Sequence, residues 1–229
     1  MSLAVVSFSG GLDSTVALAL AVDAYDEVVA LSANYGQRHA TELETAARTA
    51  ARYGVRHHTV DLTGYGALAT SSLTTNDPIP HGLYDEDNMA STVVPARNAV
   101  LAMVATGLAQ SLGGGDVILA VHNGDHAVYP DCRPEFLASA AATAELATDG
   151  AVTIKAPFIH MTKTDIVRLG AAHHAPLEET WSCYEGGEKH CGRCGTCTER
   201  KLAFHEAEVP DATTYTDPTL YHHGQKVPA

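Results

Sequence analysis

The chain has 229 residues, of which 45% are hydrophobic and 18% charged, proportions typical of a folded globular protein and not of a disordered one. Its 14 Lys and Arg residues against 27 Asp and Glu residues give a net charge of −13, which disfavours nucleic acid as the main partner because phosphate backbones are repelled. No apolar run approaches the roughly 20 residues that cross a bilayer, and the opening Met-Ser-Leu lacks the basic region of a signal peptide, so we expect a cytoplasmic protein without membrane contact.

Short apolar runs alternate with helical patterns along the first 170 residues or so of the chain. Strands are predicted at 3–8, 28–33, 55–62, 116–121 and 152–155, and helices at 14–22, 41–53, 98–109, 134–148 and 163–170. This alternation predicts an open, mostly parallel α/β sheet. The irregular segment 64–95 is expected to be a binding or lid loop. We place an α/β domain at 1–180, a small module at 181–215 and a loose extension at 216–229.

The turn after the first predicted strand, residues 8–15, reads Phe-Ser-Gly-Gly-Leu-Asp-Ser-Thr. At such a strand-to-helix junction, free backbone N–H groups and the positive helix end can bind a phosphate, and Gly10 and Gly11 let the main chain approach it closely. Asp13 would repel a phosphate unless a divalent cation bridged them, so we expect Mg²⁺. An ordinary capped helix is the alternative. A Walker A loop is excluded because the Gly-Lys-Ser/Thr ending is missing.

Four of the five cysteines crowd together at Cys183, Cys191, Cys194 and Cys197. This arrangement is unlike a disulfide framework and favours a metal site in a reducing compartment. Four thiolates at this spacing suit tetrahedral Zn²⁺, with an iron–sulfur cluster and free thiols as less favoured alternatives. Because the protein fills all four positions, the zinc is expected to be structural. Cys132 stands alone and is expected to be a small core residue.

The string Ser-Gly-Gly-Leu-Asp-Ser at residues 9–14 resembles the SGGxDS loop of the PP-loop ATP pyrophosphatases. The resemblance implies a parallel-sheet, Rossmann-like three-layer fold of the adenine nucleotide α-hydrolase type, with adenine near residues 31–34. It implies ATP bound with Mg²⁺, cleavage between the α and β phosphates, and an adenylated substrate. The residues it assigns to ATP binding are Phe8, Ser9, Gly10, Gly11, Leu12, Asp13, Ser14, Thr15, Val16, Ala17 and Leu18.

Further strings narrow this resemblance to the QueC family of 7-cyano-7-deazaguanine (preQ0) synthases. They are Tyr-Gly-Gln-Arg-His at 35–39, Val-Pro-Ala-Arg-Asn at 94–98, Tyr-Pro-Asp-Cys-Arg at 129–133, and Thr-Trp-Ser-Cys-Tyr at 180–184, which leads into the cysteine cluster. The likeness runs from about residue 5 to about residue 215. It implies that ATP activates 7-carboxy-7-deazaguanine, that ammonia forms the amide, and that a second ATP drives its conversion to the nitrile. It also implies a homodimer.

The resemblance assigns roles residue by residue. Asp13, Lys163 and Arg97 are the predicted catalytic residues, and the predicted substrate contacts are Tyr35, Gln37, Arg38, Asn98, Asp131 and Arg133. A carboxylate such as Asp131 or Asp125 is expected to accept hydrogen bonds from the guanine-like edge of the substrate. The ordinary alternatives are a solvated Lys163, a surface ion pair for Arg97, simple packing for Tyr35 and a loop cap for Asp131. His122 and His126 are expected to be solvated loop residues and not metal ligands.

Three other functions stay open at this stage. A related enzyme could stop at the amide or join the activated deazapurine to another acceptor. A PP-loop enzyme could act directly on tRNA, against which the net charge of −13 argues. A non-catalytic nucleotide sensor or zinc-module protein is the third, and the retained glycines, Asp13 and Ser14 argue against it.

Overall fold

The computed structural model describes residues 1–38, 41–222 and 225–226. His39 of the Tyr-Gly-Gln-Arg-His string and parts of the predicted extension, residues 223–224 and 227–229, lie outside the described residues. The main sheet has five parallel strands in the order β3-β2-β1-β4-β5. Their bounds are Leu3–Ser7 (β1), Glu27–Asn34 (β2), Arg56–Asp61 (β3), Gly115–Ile118 (β4) and Val152–Lys155 (β5). The predicted parallel α/β fold is confirmed.

The central strand β1 shows why this sheet is covered on both faces. Successive side chains of a strand point to opposite faces; Ala4, Val6 and Phe8 belong to one core, whereas Leu3 and Val5 belong to the other. In register, Val5 lies between Val29 of β2 and Val117 of β4. A strand that is buried on both faces has a continuous apolar sequence, and such a run was the basis for predicting this strand.

In the part of the chain that the structure describes, eight α-helices flank the sheet or lie in its connections. They are Leu12–Ala24 (α1), Thr41–Tyr53 (α2), Thr63–Leu68 (α3), Glu86–Met89 (α4), Arg97–Ser111 (α5), Pro134–Ala147 (α6), Lys163–Ala172 (α7) and Gly195–Ala207 (α8). Apolar side chains of α1, α2, α7 and α8 form the core on one face of the sheet. Those of α5 and α6 form the core on the other face. The result is the predicted three-layer arrangement.

Two segments differ from the sequence-based expectation. The segment 64–95 is not wholly irregular, because it contains most of α3, all of α4 and a 3₁₀ turn at Ala90–Thr92. The helix α8 was not predicted at all. Beyond it, Tyr221–His222 (β6) and Gln225–Lys226 (β7) form a small antiparallel pair.

The helix α8 anchors the C-terminal module through two buried cations. Arg200, 1% exposed, donates to the Leu177 carbonyl at 2.7 Å and to Thr180 Oγ1 at 2.7 Å. Lys201 Nζ donates to the carbonyl oxygens of Gly192 and, beyond residue 215, of Asp217 and Thr219. Buried charges are stable only when such partners satisfy them. Residues 216–219 are therefore bound to the module and not loose, although the domain boundaries themselves stay a prediction.

Within the described part of the chain, no single helix combines the length and apolar composition needed to cross a bilayer. One bent pair, residues 86–92 with α5 at an angle of 54°, meets those criteria when the two are taken together.

Candidate active site

A cavity of about 230 Å³ opens where the strands β1, β2 and β4 end at their carboxyl termini. Open parallel sheets bind their ligands at this edge, beside the point where the strand order reverses. Parts of the chain far apart in sequence line it, among them the glycine turn after β1, the first turns of α2 and α5, Lys163 at the start of α7, and the C-terminal module.

The positive end of α1 opens into this cavity. Gly11 precedes the helix without any side-chain cap, so the first N–H groups of α1 are left for another acceptor. Ser9 and Ser14 hold the turn in shape: their hydroxyls lie 3.1 Å apart, and Ser9 Oγ accepts from the Gly11 amide at 3.1 Å. The Trp181 amide donates to the Gly10 carbonyl at 3.0 Å, which joins the turn to the C-terminal module. A preformed, uncapped helix start of this kind can hold a phosphate group.

The predicted ATP-binding stretch is longer than the part that reaches the cavity. Phe8, Ser9, Gly11, Leu12, Asp13 and Ser14 line it. Thr15, by contrast, is fully buried, and Val16, Ala17 and Leu18 pack in the core around α1. The side chains of Val16, Ala17 and Leu18 therefore do not line this cavity, and their assignment to ATP binding stays a prediction.

Gly10 allows α2 to pack directly on the turn. Its φ is +78°, and a Cβ there would lie 2.7 Å from the Ala46 amide nitrogen. Gly54 has a similar φ of +65°, but a Cβ there would meet nothing within 4 Å. A left-handed conformation costs a non-glycine residue roughly 1–2 kcal/mol. Gly10 therefore carries a packing constraint that Gly54 does not.

We expect Gly10→Ala to lower the free energy of unfolding by about twice as much as Gly54→Ala, or more, because only the first adds a clash with the α2 backbone to the backbone strain. Denaturant unfolding of the two variants and the parent protein measures this difference. Equal losses in the two variants would contradict the tight packing of α2 on Gly10.

A chain of charges crosses the floor of the cavity. Lys163 Nζ lies 2.6 Å from Asp13 Oδ2 and 3.3 Å from Glu199 Oε2. Burial alone would raise the pKa of Asp13, but Lys163 beside it holds that pKa below its ordinary value. Burial raises the pKa of Glu199, and Lys163 only partly offsets this. Burial opposes the charge on Lys163, yet Asp13 and Glu199 raise its pKa. Lys163 is therefore a fixed buried cation and not a solvated lysine.

His122 lies behind this chain and is fully buried, so the expectation that it is solvated is wrong. The Gly124 amide donates to its Nδ1 at 3.0 Å, which leaves the proton of the neutral ring on Nε2. Nε2 faces the carboxylates of Asp125, at 3.5 Å, and Asp13, at 3.9 Å. The ring therefore lies beside both carboxylates, and whether it binds a metal stays with the sequence-based expectation.

Arg97 reaches the cavity through an unusual helix start. Ala96, immediately before α5, has a left-handed φ of 58°. The Arg97 guanidinium donates to the Tyr35 hydroxyl at 3.3 Å and lies 5.8 Å and 6.0 Å from the ring centroids of Tyr35 and Tyr129. Burial raises the pKa of Tyr35, so its hydroxyl stays neutral. Among the described residues no carboxylate forms an ion pair with Arg97, which is a cation on the cavity wall.

The other predicted substrate contacts divide into two groups. Tyr35, Gln37 and Asn98 line the cavity, but the Gln37 side-chain amide is already bound to the backbone of Ala33 and Tyr35. Three residues do not line it: Arg38 is exposed and donates to the Asp77 carbonyl, Asp131 accepts from the Asn98 amide at 2.8 Å, and Arg133 donates to the His126 carbonyl. For these three the geometry argues against the predicted contact with a ligand in this cavity, and Asp131 acts as a cap of α5.

Cys132 also touches the cavity, where it is buried and accepts a hydrogen bond from Asn98 Nδ2 at 3.1 Å. Burial raises the pKa of its thiol. A buried, neutral thiol is a poor nucleophile, which favours a place in the cavity wall over a nucleophilic role for Cys132.

The four clustered cysteines lie together in the module. Their Sγ atoms are all within 4.8 Å of one another, and all four side chains are buried. The amides of Arg193 and Cys194 donate to Cys191 Sγ at 3.3 and 3.2 Å, which stabilises negative charge on that sulfur. The cluster can hold one metal ion.

This module also supplies residues to the cavity that sequence reasoning missed. Trp181, Tyr184 and Glu199 line it from the module, and Glu42 lines it from α2. One usable signal for Glu199 was its place two residues after the last clustered cysteine. Glu42 carried no such signal, since it follows the Tyr-Gly-Gln-Arg-His string inside an amphipathic helix.

A family model described as queuosine biosynthesis protein QueC matches residues 3–208. The 7-cyano-7-deazaguanine synthase of Paracoccus denitrificans is 51% identical over 217 residues, which cover 93% of this chain and 93% of that protein. The protein of the same name from Rhizobium rhizogenes is 49% identical over 221 residues, or 95% and 93% of the two chains. The structure of the NMN synthetase from Francisella tularensis aligns with a TM-score of 0.52 at 18% identity, over 91% of this chain and 78% of that one, a likeness of fold alone.

Proposed function

Because the chain belongs to the QueC family, we propose that it is an ATP-dependent carbon–nitrogen ligase that makes 7-cyano-7-deazaguanine from 7-carboxy-7-deazaguanine and ammonia. The observation that carries this proposal is the uncapped start of α1, which opens with the Asp13–Lys163 pair into a cavity at the carboxyl edge of the sheet. Relatives that carry the synthase name match nearly the whole chain.

The nucleotide is expected to place its β and γ phosphates on the glycine turn. The N–H groups of the first turn of α1 and the Ser9 hydroxyl would donate to them, and Lys163 would balance their charge. Asp13 has one buried carboxylate oxygen without a partner among the described residues, which fits a role as a ligand of Mg²⁺. The ion, when bound, would neutralise charge on the leaving pyrophosphate.

The acceptor chemistry follows from the poor reactivity of a carboxylate. An oxygen of the 7-carboxylate attacks the α-phosphorus and displaces pyrophosphate, and ammonia then displaces AMP to give the amide. In a second round the amide oxygen attacks the α-phosphorus of another ATP and displaces pyrophosphate, and loss of AMP and of both amide protons leaves the nitrile. The protein residues contribute binding, orientation and a fixed electrostatic environment, which stabilises the developing charge without reorganisation.

The cysteine cluster is proposed to hold structural Zn²⁺. A tetrahedral zinc with bonds of about 2.3 Å to sulfur needs sulfur atoms about 3.8 Å apart, and Cys191 and Cys197 Sγ lie 4.0 Å apart. With four protein ligands, the ion has no open position for a reacting water. It would hold α8, and with it Glu199, against the α/β domain.

We also propose that the protein is a cytoplasmic homodimer without a direct nucleic-acid partner. Its chain is expected to divide into an α/β domain at 1–180, a zinc-binding module at 181–215 and an extension at 216–229.

Product analysis tests the proposed reaction directly. The protein is incubated with ATP, Mg²⁺, ammonium and 7-carboxy-7-deazaguanine, and the deazapurine and nucleotide products are identified by mass. We expect the nitrile, with two AMP and two pyrophosphate per nitrile. An amide that never proceeds to nitrile would instead support an enzyme that stops at the first stage. Formation of ADP and phosphate would contradict the adenylation chemistry.

A further inference from the structure

Glu42 presents a carboxyl group to the cavity from the first turn of α2. It also lines a smaller adjoining recess of about 20 Å³, together with Tyr35 and Tyr184. In the described part of the chain, no donor lies within hydrogen-bond distance of this carboxyl group and no cation within 4 Å. A half-buried carboxylate without a partner is costly, and such a group facing a cavity indicates that a ligand supplies the missing donors.

The other carboxylates near the cavity already have partners. Asp13 and Glu199 share Lys163. Asp125 accepts from the Tyr84 hydroxyl at 2.8 Å and faces His122. Asp131, which the sequence suggested as the acceptor for a base, instead caps α5. Glu42 thus differs from the other cavity carboxylates in that neither of its oxygens has a partner in the described chain.

Glu42 and Arg97, which line the same cavity, offer an acceptor and a donor of the kinds that a guanine-type base needs. Such a base presents, side by side, a carbonyl acceptor, a ring N–H donor and an amino donor. A carboxylate can accept from the last two with its two oxygens. The guanidinium of Arg97, which is the charge acting on Glu42, can donate to the carbonyl. The rings of Tyr35 and Tyr184 offer flat surfaces beside them.

We propose that Glu42 determines specificity for the base by accepting hydrogen bonds from the ring N–H and the amino group of the deazaguanine. This inference rests on the proposed function, because it takes its ligand class from the substrate proposed above. It assigns to Glu42 the role of hydrogen-bond acceptor for the base, which the sequence analysis expected of Asp131 or Asp125.

The protonation of Glu42 adds a pH dependence to the proposal. Burial raises its pKa to about 7, and the positive charge of Arg97 only partly opposes this. The charged or titratable groups around it are Arg97 from α5, Tyr35 and Arg38 after β2, and Cys183 and Tyr184 from the module. Burial raises the pKa of both tyrosines. Below about pH 7 the carboxyl group would be protonated and could not accept two hydrogen bonds, so base binding should weaken as the pH falls.

The adenine ring of ATP also carries an amino donor, and the experiment must separate the two ligands. Calorimetry measures the dissociation constants of three ligands: 7-carboxy-7-deazaguanine, its analogue without the 2-amino group, and a non-hydrolysable ATP analogue. The proteins are wild type, Glu42→Gln, Glu42→Asp and the control Glu44→Gln, which changes an exposed glutamate two residues along the same helix.

We expect wild type and Glu44→Gln to prefer the full base over the analogue by about ten- to a hundredfold, the range for hydrogen bonds to a charged group. Glu42→Gln should lose most of this preference, together with the pH dependence of base binding near pH 7. Glu42→Asp should retain part of the preference. All four proteins should bind the ATP analogue equally.

Three results would overturn the proposal, and they differ from one another. An undiminished preference in folded Glu42→Gln would remove Glu42 from base recognition. A selective loss of ATP-analogue affinity in that variant would place Glu42 at the adenine. Wild-type protein that binds the ATP analogue but neither base would overturn the proposed function itself, and the inference with it.

Discussion

Replacing Asp13 with Asn is expected to lower the rate of AMP formation by about a hundred- to a thousandfold, the cost of removing one electrostatic group from a reacting site. The amide keeps the shape of the side chain but removes the negative charge next to Lys163, 2.6 Å away, and the carboxylate oxygen available to a cation. The fold should persist, because Lys163 keeps Glu199 at 3.3 Å. Single-turnover assays with labelled ATP measure the rate.

Asp116→Asn is the matched control for this substitution. Asp116 also pairs with a lysine at 2.6 Å, Lys155, but lies in β4 outside the cavity. Its variant should form AMP at the parent rate. If Asp13→Asn retained a rate within a few fold of the parent, the glycine turn would not be the site of pyrophosphate release.

Replacing Cys194 with Ser is expected to remove most of the bound metal and to detach α8 from the α/β domain. Cys194 both belongs to the cysteine cluster and precedes the first turn of α8. Metal binding contributes several kcal/mol or more to the folding of small modules of this kind. Elemental analysis should fall from about one zinc per chain toward none, and hydrogen exchange should accelerate across residues 195–207.

Cys132→Ser provides the control for the metal measurement, since Cys132 is buried outside the cluster. This variant should keep its zinc. If the parent protein contained iron and acid-labile sulfide, the four cysteines would hold an iron–sulfur cluster and not zinc. An unchanged zinc content in Cys194→Ser would exclude the cluster as the site.

Most of the α/β layer was predictable because its signals are local. The bounds of α2 and β5 coincide with those predicted, since α2 carries an apolar stripe followed by Gly54 and β5 is a short run between turns. The helix α8 was missed for a physical reason. Its buried face includes Arg200 and Lys201, and cations satisfied by distant carbonyls do not produce the apolar periodicity on which prediction depends.

The candidate site was predictable where one segment defines it and unpredictable where segments meet. The glycine turn and the cysteine cluster are contiguous motifs, and the structure gathers each of them as expected. The burial of His122 depends on Asp13 and Asp125 coming together, and the roles of Asp131 and Glu42 depend on which carboxylate reaches the cavity. These contacts depend on the tertiary packing and cannot be inferred from the spacing of residues along the chain.

The joint construction of the cavity has a consequence for protein engineering. A fragment cut after β5 would retain all five strands of the main sheet and the phosphate turn. It would lack Lys163, the Trp181 indole, Tyr184 and the Glu199 side chain. Grafting this nucleotide-binding unit onto another scaffold therefore requires the sheet and the cysteine-bearing segment to travel together. Directed evolution of acceptor preference could, for the same reason, begin in that distant segment and leave the phosphate turn untouched.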